Sequence, residues 1–234
     1  MILLWKSKSD TLEKFLSLFQ SLVPEFNNLK NQNNMNIPLE PGKYYHIFNH
    51  ANGNDFLFSS DNNFRFFLSK YLFYIAPIAE TLTYCLMPNH FHFLIRMFDE
   101  RELDKLTFKK AVKYKTFEEY NSKQFSNLFS SYTQAYNKVF MRTGSLFLKN
   151  FKRKEINNEK YLRQLIIYIH NNPVKHGFTD IPENWKHSSY SDFLSNKSTF
   201  IKRNEVLDLF EDIENFKFCH RLQIELSNDL QLEE

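Results

Sequence analysis

Glycine is scarce: the chain holds four in 234 residues. Phosphate-cradling loops need several glycines, because close backbone approach and positive φ both disfavour a Cβ. A glycine-rich nucleotide loop has little room here. Cysteine is scarcer, with only Cys85 and Cys219, which form no metal or redox motif. A disulfide framework is excluded, a reducing cytoplasm fits, and Cys85 reads as a small core residue in a buried strand. Long apolar runs are missing too. The stretch Met1 to Val23 is broken by Lys6, Lys8, Asp10, Glu13 and Lys14, too polar for a signal segment or a membrane span. It reads as an amphipathic helix, Thr11 to Leu22, followed by an Asn-rich linker, Asn27 to Asn36. A large charge excess is absent as well. Thirty Lys and Arg against 27 Asp and Glu give a net charge of +3, which excludes a blanket polycation.

The positive charge is local. Lys109, Lys110, Lys113 and Lys115 form one run; Lys149, Lys152, Arg153 and Lys154 form another. Such runs are usually solvated faces. The second has Phe147 and Phe151 interleaved, which offers charge for phosphates and rings for bases.

Two motifs carry chemistry. The first is Met87-Pro88-Asn89-His90-Phe91-His92-Phe93-Leu94, on a segment that reads as a strand. Period two puts His90 and His92 on one face, with Phe91 and Phe93 on the other. Two adjacent imidazoles are half of a divalent-metal site, although a lone His-x-His is more often incidental. The second motif is Tyr168-Ile169-His170-Asn171-Asn172-Pro173-Val174-Lys175-His176-Gly177. It closes a helix-like stretch, Asn158 to Asn171, with Pro173 as the stop signal. Tyr168 and Asn172, four apart, share a helical face. A hydroxyl and an amide oxygen one turn apart suit a nucleophile and a metal ligand; an amphipathic helix with a buried tyrosine is the ordinary alternative. Tyr132 and Tyr136 have the same spacing and read as packing residues.

The order of elements predicts an α+β fold. A strand at Tyr44 to Asn49 and a turn through Gly53 precede a helix from Asn62 to Ile75. Strands at Thr81 to Leu86 and His90 to Arg96 follow, joined by a Pro-Asn turn. A helix from Ser122 to Arg142 and a strand near Leu148 to Glu155 complete the set. This is the ferredoxin-like sequence of an antiparallel sheet with helices. Helical extensions are expected at both ends, dividing the chain into residues 1–40, 41–195 and 196–234.

Four blocks together resemble the single-tyrosine HUH transposases of single-strand insertion sequences, and most closely their REP-associated tyrosine transposase branch. They are Tyr45-His46-Ile47-Phe48-Asn49, Tyr84 through His92, Gly144-Ser145-Leu146-Phe147 with Phe151-Lys152, and Tyr168 through Pro173 with Trp185 and Ser188-Ser189-Tyr190. The resemblance spans about Tyr44 to Leu194. The family often has an arginine soon after the first strand, where this chain has His50, and nothing after Leu194 matches a family block.

The resemblance implies that His90, His92 and Asn172 hold a divalent metal, Mg²⁺ or Mn²⁺, and that Tyr168 is the nucleophile. It implies cleavage and rejoining of single-stranded or hairpin DNA through a 5′-phosphotyrosine; the cysteine usage and the polar N-terminal stretch add the expectation of a cytoplasmic protein with no membrane partner. Lys149, Lys152, Arg153, Lys154, Lys175 and His176 are the candidate DNA contacts. A monomer in solution that pairs on DNA is expected, with Val206, Leu207, Leu209, Phe210 and Ile213 covering a sheet edge. Two other readings stand beside this one. The same fold could bind nucleic acid without catalysis, or a hydrolase could use His90 and His92 with one of His46, His50, His170 or His176.

Overall fold

Aromatic and β-branched residues build the first strand, β1 (Tyr44–His50). The computed structural model describes the backbone of residues 37–232 and the side chains of residues 37–225. The expected helix Thr11 to Leu22 and the linker Asn27 to Asn36 lie outside the described residues. A turn through Gly53, at φ +59°, leads to α1 (Asp61–Tyr74). β2 (Ala79–Met87) and β3 (His90–Met97) form a hairpin across Pro88 and Asn89. That turn is tied down from outside: the Pro88 carbonyl accepts from Leu57 and Phe58 N–H at 2.7 and 3.0 Å, and the Asn89 carbonyl from Ala51 N–H at 2.7 Å. Asp104 and Thr116 cap α2 (Lys105–Ala111) and α3 (Phe117–Val139), accepting from the N–H groups of Thr107 and Glu119. β4 (Lys152–Ile156) and α4 (Glu159–Lys175) follow. Asn158 caps α4, its side chain accepting from Tyr161 N–H at 2.7 Å. α5 (Tyr190–Phe193), α6 (Arg203–Asp208) and α7 (Ile213–Leu232) complete the described chain.

The sheet runs β2-β3-β1-β4, and each neighbouring pair is antiparallel. With α1 and α3 as the crossovers, this is the expected ferredoxin-like α+β arrangement. Opposed residues in an antiparallel pair share a face. Phe48 lies opposite both His92 and Lys152, His46 opposite Lys154, and His50 opposite His90. These side chains therefore project from one face. Tyr45, Ile47, Phe91, Phe93 and Arg153 project from the other.

The second face carries an aromatic core under α1 and α3. Tyr71 stacks on Phe93 at 4.1 Å, Phe67 lies 5.4 Å from Phe91, and Tyr132 meets Phe67 edge-on at 5.1 Å. Each such ring, fully buried, contributes roughly 1.5–3 kcal/mol. Tyr132 and Tyr136 are indeed packing residues, with hydroxyls bonded to the Leu57 carbonyl and to Ser59 Oγ.

α4 covers the histidine face and does not stop where proline was expected to stop it. It continues through Pro173 to Lys175. Proline lacks only the N–H that would reach the Ile169 carbonyl, and in the last turn that loss is small. His176 N–H still bonds the Asn172 carbonyl at 3.0 Å, and the chain turns away at Gly177, φ +69°. Asn172 is thus fully helical.

A buried polar chain holds α4 from behind. His220 Nδ1 lies 2.7 Å from the Phe216 carbonyl, which can only accept. His220 Nε2 must then accept from His170 Nδ1–H, 3.0 Å away. His170 Nε2 in turn accepts from a hydroxyl, Thr83 Oγ1 at 2.6 Å or Ser189 Oγ at 2.9 Å. Ser189 Oγ also accepts from Tyr84 N–H at 2.9 Å. β2, α4, α5 and α7 are joined through this one run of partners.

The free edge of β2 is covered as well, though by backbone more than by the apolar residues expected to do it. Leu86 N–H bonds the His187 carbonyl at 2.9 Å, Ser189 N–H the Tyr84 carbonyl at 3.0 Å, and Lys202 N–H the Thr81 carbonyl at 2.8 Å. Trp185 Nε1–H adds a bond to the Leu86 carbonyl at 3.0 Å. Of the expected residues, Val206 and Phe210 are buried; Leu207, Leu209 and Ile213 are half-buried.

Candidate active site

The site lies between the histidine face of the sheet and α4. β3 supplies His90 and His92, whose rings are 5.2 Å apart at 82°. α4 supplies Tyr168 and Asn172, one turn apart. Asn172 Oδ1 is 3.3 Å from His90 Nε2, and the Tyr168 ring is 5.5 Å from the His92 ring. The four residues named from the two sequence motifs therefore meet.

Burial sets the protonation of the histidines. Desolvation pushes His90 down to about 4 and His92 well below the ordinary imidazole range, with the neighbouring histidines adding to both. Both are neutral at pH 7, the form that binds metals. Tyr168 is half-buried, and desolvation raises its hydroxyl above the ordinary phenol value, partly opposed by a hydrogen bond with Asn172. It rests as a neutral phenol.

The ring nitrogens of His90 face two amide oxygens. A neutral His90 has one ring proton, yet Nδ1 faces Asn89 Oδ1 at 2.8 Å while Nε2 faces Asn172 Oδ1 at 3.3 Å. The Asn172 amide nitrogen is turned to the Tyr168 carbonyl at 3.3 Å, which aims its oxygen at His90. If Nδ1 carries the proton, Nε2 and Oδ1 present two lone pairs to the same space, as ligands of a hard or borderline divalent ion do. No group of three His, Cys, Asp or Glu among the described residues is arranged to hold a metal. The further polar atom beside His90 Nε2 is the amide oxygen of Asn172.

β1 contributes two more histidines, both named above as alternative hydrolytic ligands. His46 Nε2 lies 2.9 Å from His92 Nδ1, and His50 stacks on His90 at 4.7 Å and 17°. Strand parity puts both on one face, but only the β1–β3 register shows that it is the same face as His90 and His92. His170 is fully buried in the chain of bonds behind α4, which removes it from any hydrolytic ligand set.

The basic residues separate. Lys175 Nζ lies 5.7 Å over the Tyr168 ring, His176 is 5.1 Å from the His90 ring, and Lys152 Nζ is 5.8 Å over Phe48. Lys154 is close enough to His46 to help lower its pKa. These four border the site. Lys149 is exposed on the turn into β4, next to Leu148, whose N–H bonds the His50 carbonyl at 2.9 Å. Arg153 is on the opposite face, bonded to Ser122 Oγ at 2.9 Å and lying over Phe151 at 5.1 Å. Phe147 and Phe151 pack against Phe129 at 5.0 and 5.4 Å, so these rings serve the core.

A tyrosine thus lies over paired histidines, with an amide one turn along its helix, on a ferredoxin-like sheet. Known proteins resemble the chain in part. No family model matches the chain. A protein of Haemophilus influenzae named as a REP-associated tyrosine transposase is 26% identical over 113 residues, 47% of this chain and 58% of that relative. The match thus spans little more than half the relative's length. The solved structure of a REP-associated tyrosine transposase bound to a REP hairpin superposes with a TM-score of 0.53 at 16% identity, over 69% of this chain and 84% of that one. The chain is similar to REP-associated tyrosine transposases in sequence over part of its length and in fold. Among its described residues no helix is long and apolar enough to cross a membrane.

Proposed function

We propose that the protein is a DNA transposase that cuts and rejoins single-stranded or hairpin DNA through a 5′-phosphotyrosine at Tyr168. The observation that supports this most is the convergence of Tyr168 and Asn172 with His90 and His92, two segments far apart in sequence. The Tyr168 oxygen attacks phosphorus, forming the tyrosyl ester as the bond to the 3′-oxygen breaks. The phenolic proton ends, in net terms, on the released 3′-hydroxyl. The bond energy is kept, so reversal by a 3′-hydroxyl rejoins the strand without a nucleotide cofactor.

His90, His92 and Asn172 would hold Mg²⁺ or Mn²⁺, which when bound neutralises charge on the scissile phosphate. A phenol held in its neutral form needs its proton's loss favoured during attack. The amide of Asn172 stabilises negative charge on the tyrosyl oxygen, and the Lys175 ammonium, 5.7 Å over the ring, would add to this as charge develops. Lys152, Lys154 and His176 border the cleft in which a strand would lie. A stacked duplex cannot bring a phosphate to a half-buried helix side chain, which favours single strands and hairpin feet. The relative solved with a REP hairpin supports the same substrate class.

Incubating the protein with end-labelled hairpin DNA and Mn²⁺ tests the proposal. A denaturation-resistant adduct should form and map to the peptide containing Tyr168. An adduct on Tyr132 or Tyr136 would sink the assignment. His90→Ala and His92→Ala should each abolish cleavage while most hairpin binding survives, and Asn172→Ala should cost less than either. If His92→Ala cleaves like the wild type at limiting Mn²⁺, the metal assignment is wrong.

A further inference from the structure

His46 is buried on the central strand, with its ring 4.6 Å from Phe48, 5.1 Å from His92 and 6.4 Å from the Tyr168 ring. Its Nε2 is 2.9 Å from His92 Nδ1. A hydrogen bond between two neutral imidazoles uses one proton, so there are two ways to make it. If His46 donates, His92 keeps its own proton on Nε2, and that nitrogen has no lone pair for a metal. If His92 donates, Nε2 is free and the ring is held with that nitrogen as its only acceptor. The second arrangement requires His46 to carry its proton on Nδ1 and to present a bare Nε2.

We infer that His46 is a positioning residue: it accepts the Nδ1–H bond of His92, fixes that ring's tautomer and rotation, and so makes His92 a metal ligand. The inference rests on His90, His92 and Asn172 being the metal ligands. His90 has a counterpart in Asn89, whose Oδ1 lies 2.8 Å from His90 Nδ1. Each proposed histidine ligand thus has a partner on its Nδ1 side, which leaves Nε2 for the metal; that of His90 faces Asn172 Oδ1, the third proposed ligand. Partners of this kind are worth about 10–100-fold in metal affinity.

The competing role for His46 is that of a packed aromatic ring alone, and two substitutions separate the roles. His46→Phe keeps a ring against Phe48 and Tyr168 but cannot accept a hydrogen bond. His46→Gln loses the ring but offers an amide oxygen to His92 Nδ1–H. Mn²⁺ binding to the full chain, followed by the electron-spin signal of free Mn²⁺, should weaken about 10–100-fold in His46→Phe. In His46→Gln it should stay within a few-fold of wild type. Nitrogen-15 spectra of the metal-free wild type should show His92 protonated on Nδ1, and this needs no variant to fold. An Nε2-protonated His92 overturns the inference, as does a folded His46→Phe that binds Mn²⁺ as tightly as wild type. A wild type that binds no Mn²⁺ sinks the metal site itself, and the inference with it. Binding that is lost in His92→Ala but untouched in His46→Phe sinks the positioning role alone.

Discussion

Lys152, Arg153 and Lys154 are neighbours in sequence and strangers in space. Strand parity sends the two lysines to the histidine face and Arg153 beneath α3, where it meets Ser122 and Phe151. If DNA lies in the cleft, each lysine that neutralises a phosphate contributes about one unit to the slope of log affinity against log salt. Lys152→Ala and Lys154→Ala should each lower that slope by about one. Arg153→Ala should leave the slope alone and lower stability instead, because it removes a packed guanidinium and strands the Ser122 hydroxyl. Hairpin titrations at several salt concentrations, paired with urea unfolding, give the answer; a slope change in Arg153→Ala equal to that in Lys152→Ala would contradict the placement. The sequence already held this separation, since period two distinguishes residue 153 from 152 and 154. Reading the run as a block of charge hid it, whereas the same parity read at His90 and His92 placed both correctly.

Among elements, α4 is the one on which the site depends. Its start was legible from the Asn158 cap, and the shared face of Tyr168 and Asn172 from their spacing. Its end was not, because proline was weighed above Gly177, the residue whose φ of +69° actually turns the chain. The polar chain behind α4 was also hidden: Ser189, His170 and His220 lie on three separate segments, and no local pattern pairs them. Ser189 is its hub, bonded to Tyr84 N–H, Thr83 Oγ1 and His170 Nε2 at 2.9, 2.8 and 2.9 Å. Ser189→Ala leaves the Tyr84 N–H buried without that acceptor, and should cost about 1–3 kcal/mol. Urea denaturation of the variant measures it. A loss within error would show that the hydroxyl is not needed to satisfy that group.

At the scale of the whole molecule, buried neutral histidines tie stability to pH. Desolvation pushes His46 and His220 down to about 3, whereas an unfolded chain takes up protons near 6.5. Between those values the unfolded state binds more protons, so stability is full above about 6.5 and falls as the medium is acidified. From pH 7 to pH 5 each of the two should cost about 2 kcal/mol. Guanidinium unfolding at pH 7, 6 and 5 should show this fall, and a flat profile would mean that these imidazoles are not buried in the native state. Assembly is governed by edges. Among the described residues, β2 is closed by the segments around Ser188 and Ile201, which leaves β4, a short strand with Lys152 and Lys154, as the open side of the sheet. Without DNA the protein should therefore scatter light as a monomer at low micromolar concentration. A stable DNA-free dimer would overturn this.

The bond between His170 and His220 has a consequence for the order in which the protein is made. The histidine hairpin leaves the ribosome before the tyrosine helix, and the support behind that helix comes only with α7, later still. A nascent chain that has emerged as far as Tyr168 carries the proposed nucleophile without the buttress that seats it. If Tyr168 cuts DNA, that chemistry waits until α7 has been made, and a product terminated before α7 lacks the support that seats the tyrosine.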